Sequence, residues 1–316
     1  MKNDLIHSLK EGKISSFIIR SWIWPGPIRS RSIALYGLFK GVFSFKEFFG
    51  FLLPAKYRNR NLNLGLASFI NTQTREAIRD FVAEDNSVEL FDNKFYMPFN
   101  SVTEMFDLIY QVIFLDQYNA KKLIKDGDFI IDAGANIGTF SILAASLSLA
   151  GSVYSFEPVK STFDILRKNT ESYPNIHCYN LGLGDKNIIK NIFTYNGVTG
   201  GSVMEDSDMF KQRYSREDFT GSEEVSIVTI DDFVERNKIA KVDFIKIDTE
   251  GYEKQILTGA KETIRRFKPI IVASAYHSKG DKKSIPNLVH SLCSGYKYRM
   301  EKIFEEDIVF YYDSKN

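Results

Sequence analysis

The sequence predicts an α/β fold: a doubly wound, mostly parallel sheet behind a mainly helical N-terminal extension. Three observations predict it. From Gly127 onward, short β-branched runs alternate with helical stretches, the mark of βαβ units around a parallel sheet. The first run, Phe129–Ala133, ends in a glycine-bearing turn that opens a helix. The last two runs, 296–300 and 308–312, lie close in sequence and read as an antiparallel pair at a sheet edge.

The 316 residues allow one large domain or two ordinary ones, and a chain of this size buries about three quarters of its unfolded surface. Hydrophobic residues make up 44% and charged residues 26%, which excludes overall disorder, a collagen-like chain and a multispanning membrane protein. Two cysteines, Cys178 and Cys293, exclude a disulfide scaffold and a Cys-rich zinc module, and fit a reducing, cytoplasmic compartment.

Residues 1–86 form the extension. Helices are expected over 3–20, 33–53 and 71–84, with Pro25-Gly26-Pro27 breaking the first two apart. No secretory signal pattern opens the chain, and Lys40, Lys46 and Glu47 make 33–53 a poor membrane span. Residues 1–60 carry eleven Lys or Arg against three acids, a net of +8, leaving −7 for 61–316. Aromatics such as Trp22, Trp24, Phe43 and Phe49 sit among these bases. They either pack on the main domain or let residues 17–53 meet a membrane surface or a partner.

Residues 87–316 form the second domain, with a lead-in at 87–126 and the α/β core at 127–316. Runs at 88–91 and 95–97 flank Asp92-Asn93-Lys94 and read as a hairpin; the capping-box pattern of Ser101 and Glu104 opens a helix to about Gln117. Core strands are expected at 129–133, 153–156, 177–181, 225–230, 244–247 and 270–273. Core helices are expected at 137–149, 159–171, 253–266 and 284–292. The long polar stretch 195–224, with Gly197, Gly200, Gly201 and Gly221, reads as a lid.

The chemistry gathers where these strands end. In D-A-G-A-N-I-G over 132–138, Asp132 closes a strand, Gly134 and Gly138 let the backbone come close to a ligand, and a helix N-terminus follows. Asn136 holds the place of the middle glycine of a dinucleotide fingerprint and crowds the pyrophosphate position, so the corner suits a nucleoside with a small carboxylate better than NAD. Glu157, 25 residues beyond Asp132, tips the second strand, where an acid takes two hydrogen bonds from ribose hydroxyls. Leu183, Gly184 and Asp185 follow the third strand; glycines there allow a base ring close, and Asp185 either accepts from its amine or caps a turn. In V-D-F-I-K-I-D over 242–248, alternation puts Lys246 and Asp248 on one face, and a buried lysine needs an acid. Glu250 lies just beyond. His277, after the fifth strand, is a candidate general base.

These motifs, with F-E-P at 156–158 and I-K-I-D-T-E-G-Y-E at 245–253, resemble the FkbM-type family of class I methyltransferases over roughly residues 115–312. The resemblance implies a Rossmann-like seven-stranded sheet with its terminal strand inserted antiparallel, and S-adenosylmethionine as methyl donor. It implies Asp132, Gly134, Asn136 and Gly138 around the methionine end, Glu157 on the ribose, and Leu183, Gly184 and Asp185 near the adenine. It implies Asp248 and Glu250 near the transferring methyl, with Gln117 and Tyr118 also within reach. The family's acid after the fifth strand is absent, since Ser274 and Ala275 stand there, and only His277 carries over.

The expected reaction is O-methylation of a hydroxyl on a sugar, glycan or related metabolite, with Asp248, Glu250, His277 and Lys246 as catalytic candidates and no metal. Asp231, Asp232 and Glu253 could join Asp248, Glu250 and His277 around a magnesium ion, but Asp231-Asp232 reads as a helix N-cap. Three alternatives stay open: N-methylation of an amino sugar, an NAD-dependent oxidoreductase, and a non-catalytic or membrane-surface binding module. The −7 balance of residues 61–316 argues against a nucleic-acid acceptor. Oligomeric state is open.

Overall fold

A computed structural model describes residues 87–90, 93–97, 108, 110–114, 116–194, 202–303 and 306–313. The helices expected over 3–20, 33–53 and 71–84, the 17–53 surface and the capping box at 101–104 lie outside the described residues. The chain divides into two compact units, residues 1–93 and 94–316. Strands β1 (Ser87–Leu90) and β2 (Asn93–Tyr96) flank the reversal that the sequence marks.

The central sheet takes its strands from the β-branched runs: β3 (Phe129–Ala133), β4 (Ser152–Phe156), β5 (Ile176–Tyr179), β10 (Phe244–Ile247) and β11 (Ile270–Ser274). These five run parallel, in the order β11-β10-β3-β4-β5. β12 (Tyr296–Ile303) and β13 (Glu306–Asp313) extend it, with β13 antiparallel between β11 and β12. A parallel strand covered on both faces has no solvent side, and β10 is buried at all four residues. Ile131, Ile245, Ile247 and Ile271 pack into one core; Ile130, Phe244 and Val272 pack into the other, against Phe140 and Leu143 of α2 (Thr139–Leu147), which in chain order follows α1 (Ala120–Leu123) and precedes α3 (Lys160–Asn169).

The strand expected at 225–230 is not part of this sheet. It is β9 (Gly221–Val228), in a separate four-stranded sheet ordered β6-β9-β7-β8, with β6 (Gly182–Leu183), β7 (Ile188–Thr194) and β8 (Val203–Met204). The reason is in its pattern: Val225 and Ile227 are buried while Glu224 and Ser226 face water, the alternation of a sheet with one wet face. The stretch read as a lid is built rather than loose. Its residues 195–201 lie outside the described residues; the rest holds β8, α4 (Asp208–Arg213) and a 3-10 turn at Arg216–Asp218. Phe193, Phe210 and Phe219 stack together and anchor it.

The helix expected over 253–266 is two helices, α6 (Glu253–Thr258) and α7 (Lys261–Phe267). At the break, a Cβ on Gly259 would stand 1.9 Å from the carbonyl oxygen of Gly184, so the chain approaches there as only glycine permits. Asp231 sits in the first turn of α5 (Ile230–Arg236) but spends its carboxylate on α7, accepting from the N–H groups of Glu262 and Thr263. The N-cap of α5 is Thr229, not the Asp231-Asp232 pair. No helix among the described residues is long and apolar enough to cross a membrane.

Candidate active site

A cavity of about 200 Å³ opens at the C-terminal ends of β3, β4 and β10, where parallel sheets take their ligands. Gly134, Ala135 and Asn136 form one wall. Gly134 has φ 75°, and a Cβ there would lie 2.1 Å from the carbonyl oxygen of Asp248. Its freedom thus serves the close crossing of two strand ends, which the sequence attributes to ligand approach alone. Gly138 caps α2 outside the wall, and a Cβ there would meet Leu166 at 2.9 Å.

Glu157 lines the cavity and is 6% exposed. Oε2 accepts from the Asn136 N–H at 3.1 Å and Oε1 from the Val159 N–H at 2.9 Å. Each oxygen keeps a lone pair for a ligand. Burial pushes its carboxyl up to about 7, against those two bonds and the nearby Lys246 charge.

Strand register sets Lys246 opposite Asp132. The lysine Nζ stands 3.1 Å from Asp132 Oδ1 and donates to the carbonyl oxygen of Gly134 at 2.7 Å. Asp132 has no exposure and also accepts from Ser141 Oγ at 2.6 Å. The acid that Lys246 needs is therefore Asp132, not Asp248. Asp132 is a support behind the cavity rather than part of its lining, whereas Lys246 belongs to the lining.

Asp248 lines the cavity next to Gly134. Tyr118 donates to its Oδ2 at 2.5 Å and Tyr276 to its Oδ1 at 3.5 Å. Burial opposes its charge, yet His277, Lys246 and the Tyr118 bond hold the carboxyl below the usual range. Glu250 also lines the cavity, with φ 52°, followed by Gly251 at φ 91°. Gly251 takes its positive φ freely, but a left-handed glutamate stores strain that its surroundings must hold. Glu253 does so: its Oε1 accepts from Thr249 N–H at 3.0 Å, Gly251 N–H at 3.3 Å and Thr249 Oγ1 at 3.3 Å, and bonds His277 Nδ1 at 2.9 Å.

His277 lies behind the wall, 2% exposed and outside the lining. Burial disfavours its charge, but Glu253, Glu250 and Asp248 outweigh burial and push it up to about 10. The charged imidazole is thus favoured where Glu253, Glu250 and Asp248 surround it. Leu183 lines the cavity; Gly184 is buried behind it against Tyr252, and Asp185 is exposed away from it. Asp232 pairs with Arg236 and Asp231 caps α7; among the described residues, Asp248, Glu253 and His277 bring donor atoms within 4.8 Å of one another. Sequence reasoning overlooked Tyr276 and Thr139 in the lining, and the holding role of Glu253. The one available signal was that Glu253 closes the same run as Asp248 and Glu250.

The family model for the methyltransferase FkbM domain matches residues 132–300, more than half of the chain. The chain is 25% identical over 197 residues to Methyltransferase 1 of Beauveria bassiana, covering 58% of this chain and 79% of that protein. It is 25% identical over 165 residues to the hexuronic acid methyltransferase AglP of Haloferax volcanii, covering 52% and 62%. It is 27% identical over 180 residues to the 31-O-demethyl-FK506 methyltransferase FkbM of Streptomyces tacrolimicus, covering 49% and 68%.

The donor set fits S-adenosylmethionine. Gln117 Oε1, an acceptor suited to an ammonium, and Thr139 Oγ1, a donor suited to a carboxylate, are buried atoms of lining residues with no hydrogen-bond partner. Glu157 adds acceptors for ribose hydroxyls, and Leu181, Leu183 and Met204 add apolar surface for a base. Acidic groups outnumber free cations around the space, which favours a sulfonium over an anion. Sequence motif, cavity chemistry and the match over 132–300 converge: this chain belongs to the FkbM family of S-adenosylmethionine-dependent methyltransferases.

Proposed function

We propose that this chain moves a methyl group to a hydroxyl on a sugar, glycan or related small molecule. The observation that carries the reading is that Asp248 and Glu250 line the same cavity as Glu157 and Asn136, carboxylates for the acceptor in one space with a nucleoside corner. Two relatives, the hexuronic acid methyltransferase and the 31-O-demethyl-FK506 methyltransferase, support small-molecule acceptors.

When bound, S-adenosylmethionine supplies a methyl already activated on a sulfonium. The chain's part is positioning and removal of water. Asn136, Gln117 and Thr139 hold the methionine end, Glu157 the ribose, and Leu183 the base. Tyr118 fixes Asp248 through its 2.5 Å bond, and an ionised Asp248 would favour a positively charged group bound in the cavity. Glu250 or Asp248 would take the proton of an acceptor hydroxyl bound there. Lys246, neutralised by Asp132, shapes the wall by gripping the Gly134 carbonyl and does not serve as a base. The acidic wall also suits an amine, so N-methylation of an amino sugar is the second reading.

Calorimetry with S-adenosylmethionine, with NAD in parallel and Glu157→Ala as control, tests the cofactor half. Transfer of a labelled methyl into a panel of neutral sugars, uronic acids and amino sugars tests the acceptor half. Label entering only amines would replace the hydroxyl reading. Label entering none of the panel, in a protein that binds the cofactor, would remove the sugar acceptor.

A further inference from the structure

Two neighbours in the chain, Gln117 and Tyr118, both line the cavity. In a strand, successive side chains point to opposite faces. Sending both into one space takes a turn. That turn runs over residues 116–119, with the Asn119 N–H donating to the Asp116 carbonyl oxygen at 2.7 Å. Its flanking residues, Asp116 at φ 52° and Asn119 at φ 54°, are both left-handed and neither is glycine. Aspartate and asparagine visit this region more readily than other residues with a Cβ, yet the conformation still stores strain.

The strain is held from outside the cavity, because Asp116 is not among the lining residues. Its Oδ1 accepts from the Ala120 N–H at 2.6 Å and its Oδ2 from the Lys121 N–H at 3.1 Å. One carboxylate thus ties the start of the turn to the first residues of α1. On the other side, the Gln117 N–H donates to the Gln111 carbonyl oxygen at 3.1 Å, and Lys121 Nζ to that of Ile113 at 2.7 Å. Fixed at both ends, the turn delivers its two central residues at 2% and 3% exposure. Tyr118 meets Phe140 edge-on, with ring centroids 5.4 Å apart, and donates to Asp248. Gln117 Oε1 has no hydrogen-bond partner and is left for a ligand.

We propose that Asp116 is a positioning residue for S-adenosylmethionine: its carboxylate closes the turn that sets Gln117 and Tyr118 in the cavity, and cofactor affinity depends on that closure. Asp116 acts through those two side chains. This rests on the cofactor reading and on no choice of acceptor.

The test separates closure from strain, on the full chain. Asp116→Gly takes a positive φ freely but leaves the Ala120 and Lys121 N–H groups without their acceptor. Asp116→Asn keeps an acceptor oxygen and the left-handed preference. Thr229→Ala removes a comparable cap, the acceptor of the Asp232 N–H in α5, outside the cavity lining. Calorimetry with S-adenosylmethionine is read beside the melting temperature and circular dichroism of each variant. Asp116→Gly should fold and bind at least about tenfold more weakly. Asp116→Asn should bind within about threefold of the unaltered chain. Thr229→Ala should melt earlier yet bind within about twofold. Without cofactor, the Ala120 and Lys121 amides of Asp116→Gly should exchange hydrogen at least about tenfold faster than those of the unaltered chain. A folded Asp116→Gly that loses no more affinity than Thr229→Ala overturns the proposal, as do amides that exchange alike in the two chains. If Asp116→Gly fails to fold, the unaltered chain decides: an Ala120 amide exchanging as fast as an open chain overturns the closure. Cofactor binding that is indifferent to Asp116 sinks the positioning role alone, whereas an unaltered chain that binds no S-adenosylmethionine sinks the cofactor reading with it.

Discussion

Glu157 carries the clearest pH signature of any single residue in the site. Its carboxyl rises from 4.5 to about 7 because folding buries it. The folded state therefore holds the proton more tightly than the unfolded chain, and stability from this group is full below pH 4.5 and lost as pH climbs to about 7. Urea denaturation without cofactor should show the unaltered chain losing up to about 3 kcal/mol more than Glu157→Gln between pH 5 and 8. Parallel curves would mean that water reaches the carboxylate. Cofactor affinity runs the other way, because ribose hydroxyls donate to the ionised form: it should fall about tenfold per pH unit below 7. Glu157→Gln should flatten that slope. The Lys246–Asp132 pair makes a second prediction. Lys246→Met strands a carboxylate with no exposure and should cost about 3–5 kcal/mol, while adding Asp132→Asn should restore much of it. Equal losses in the single and double variants would show that the two charges are not coupled. Sequence alternation marked Lys246 as needing an acid; the choice of Asp132 over Asp248 depended on strand register, which no local pattern encodes.

Among the elements, the strand ends depend on close chain crossings more than on propensity. Gly134 lies against the Asp248 carbonyl at the distance a Cβ cannot share, with positive φ besides. Gly134→Ala should therefore destabilise the fold by at least about 2 kcal/mol and displace Asp248, lowering cofactor affinity together with the urea midpoint. An alanine variant with unchanged midpoint and affinity would refute the crossing. The same physics explains where element boundaries were illegible. Alternation in β9 and unbroken apolar runs in β3 and β10 are written in the sequence, and the first could have excluded β9 from the parallel sheet. The break between α6 and α7 was not legible, because it answers to the Gly184 carbonyl pressed on Gly259 from 75 residues away. The 3.6-residue pattern runs through that break, and Gly259 alone does not tell a tolerated helix glycine from a helix end.

At the scale of the whole molecule, the cofactor corner was readable because its residues lie in short runs at strand tips, where chain order and spatial order coincide. The holding role of Glu253 was not, since it depends on a left-handed loop folding its own backbone donors onto one oxygen. The same partition makes a prediction about domains. Among the described residues, every residue lining the cavity, every strand of the central sheet and every member of the two large hydrophobic cores falls within 94–316. A unit with its own core and its own ligand walls has what it needs to fold alone. We therefore expect a chain of residues 87–316 to unfold in one cooperative urea transition and to bind S-adenosylmethionine within about threefold of the full chain. A non-cooperative transition would show that residues 1–86 belong to the fold. Cooperative unfolding with lost cofactor affinity would instead assign them to the site, and would move the domain boundary from a structural division to a functional one.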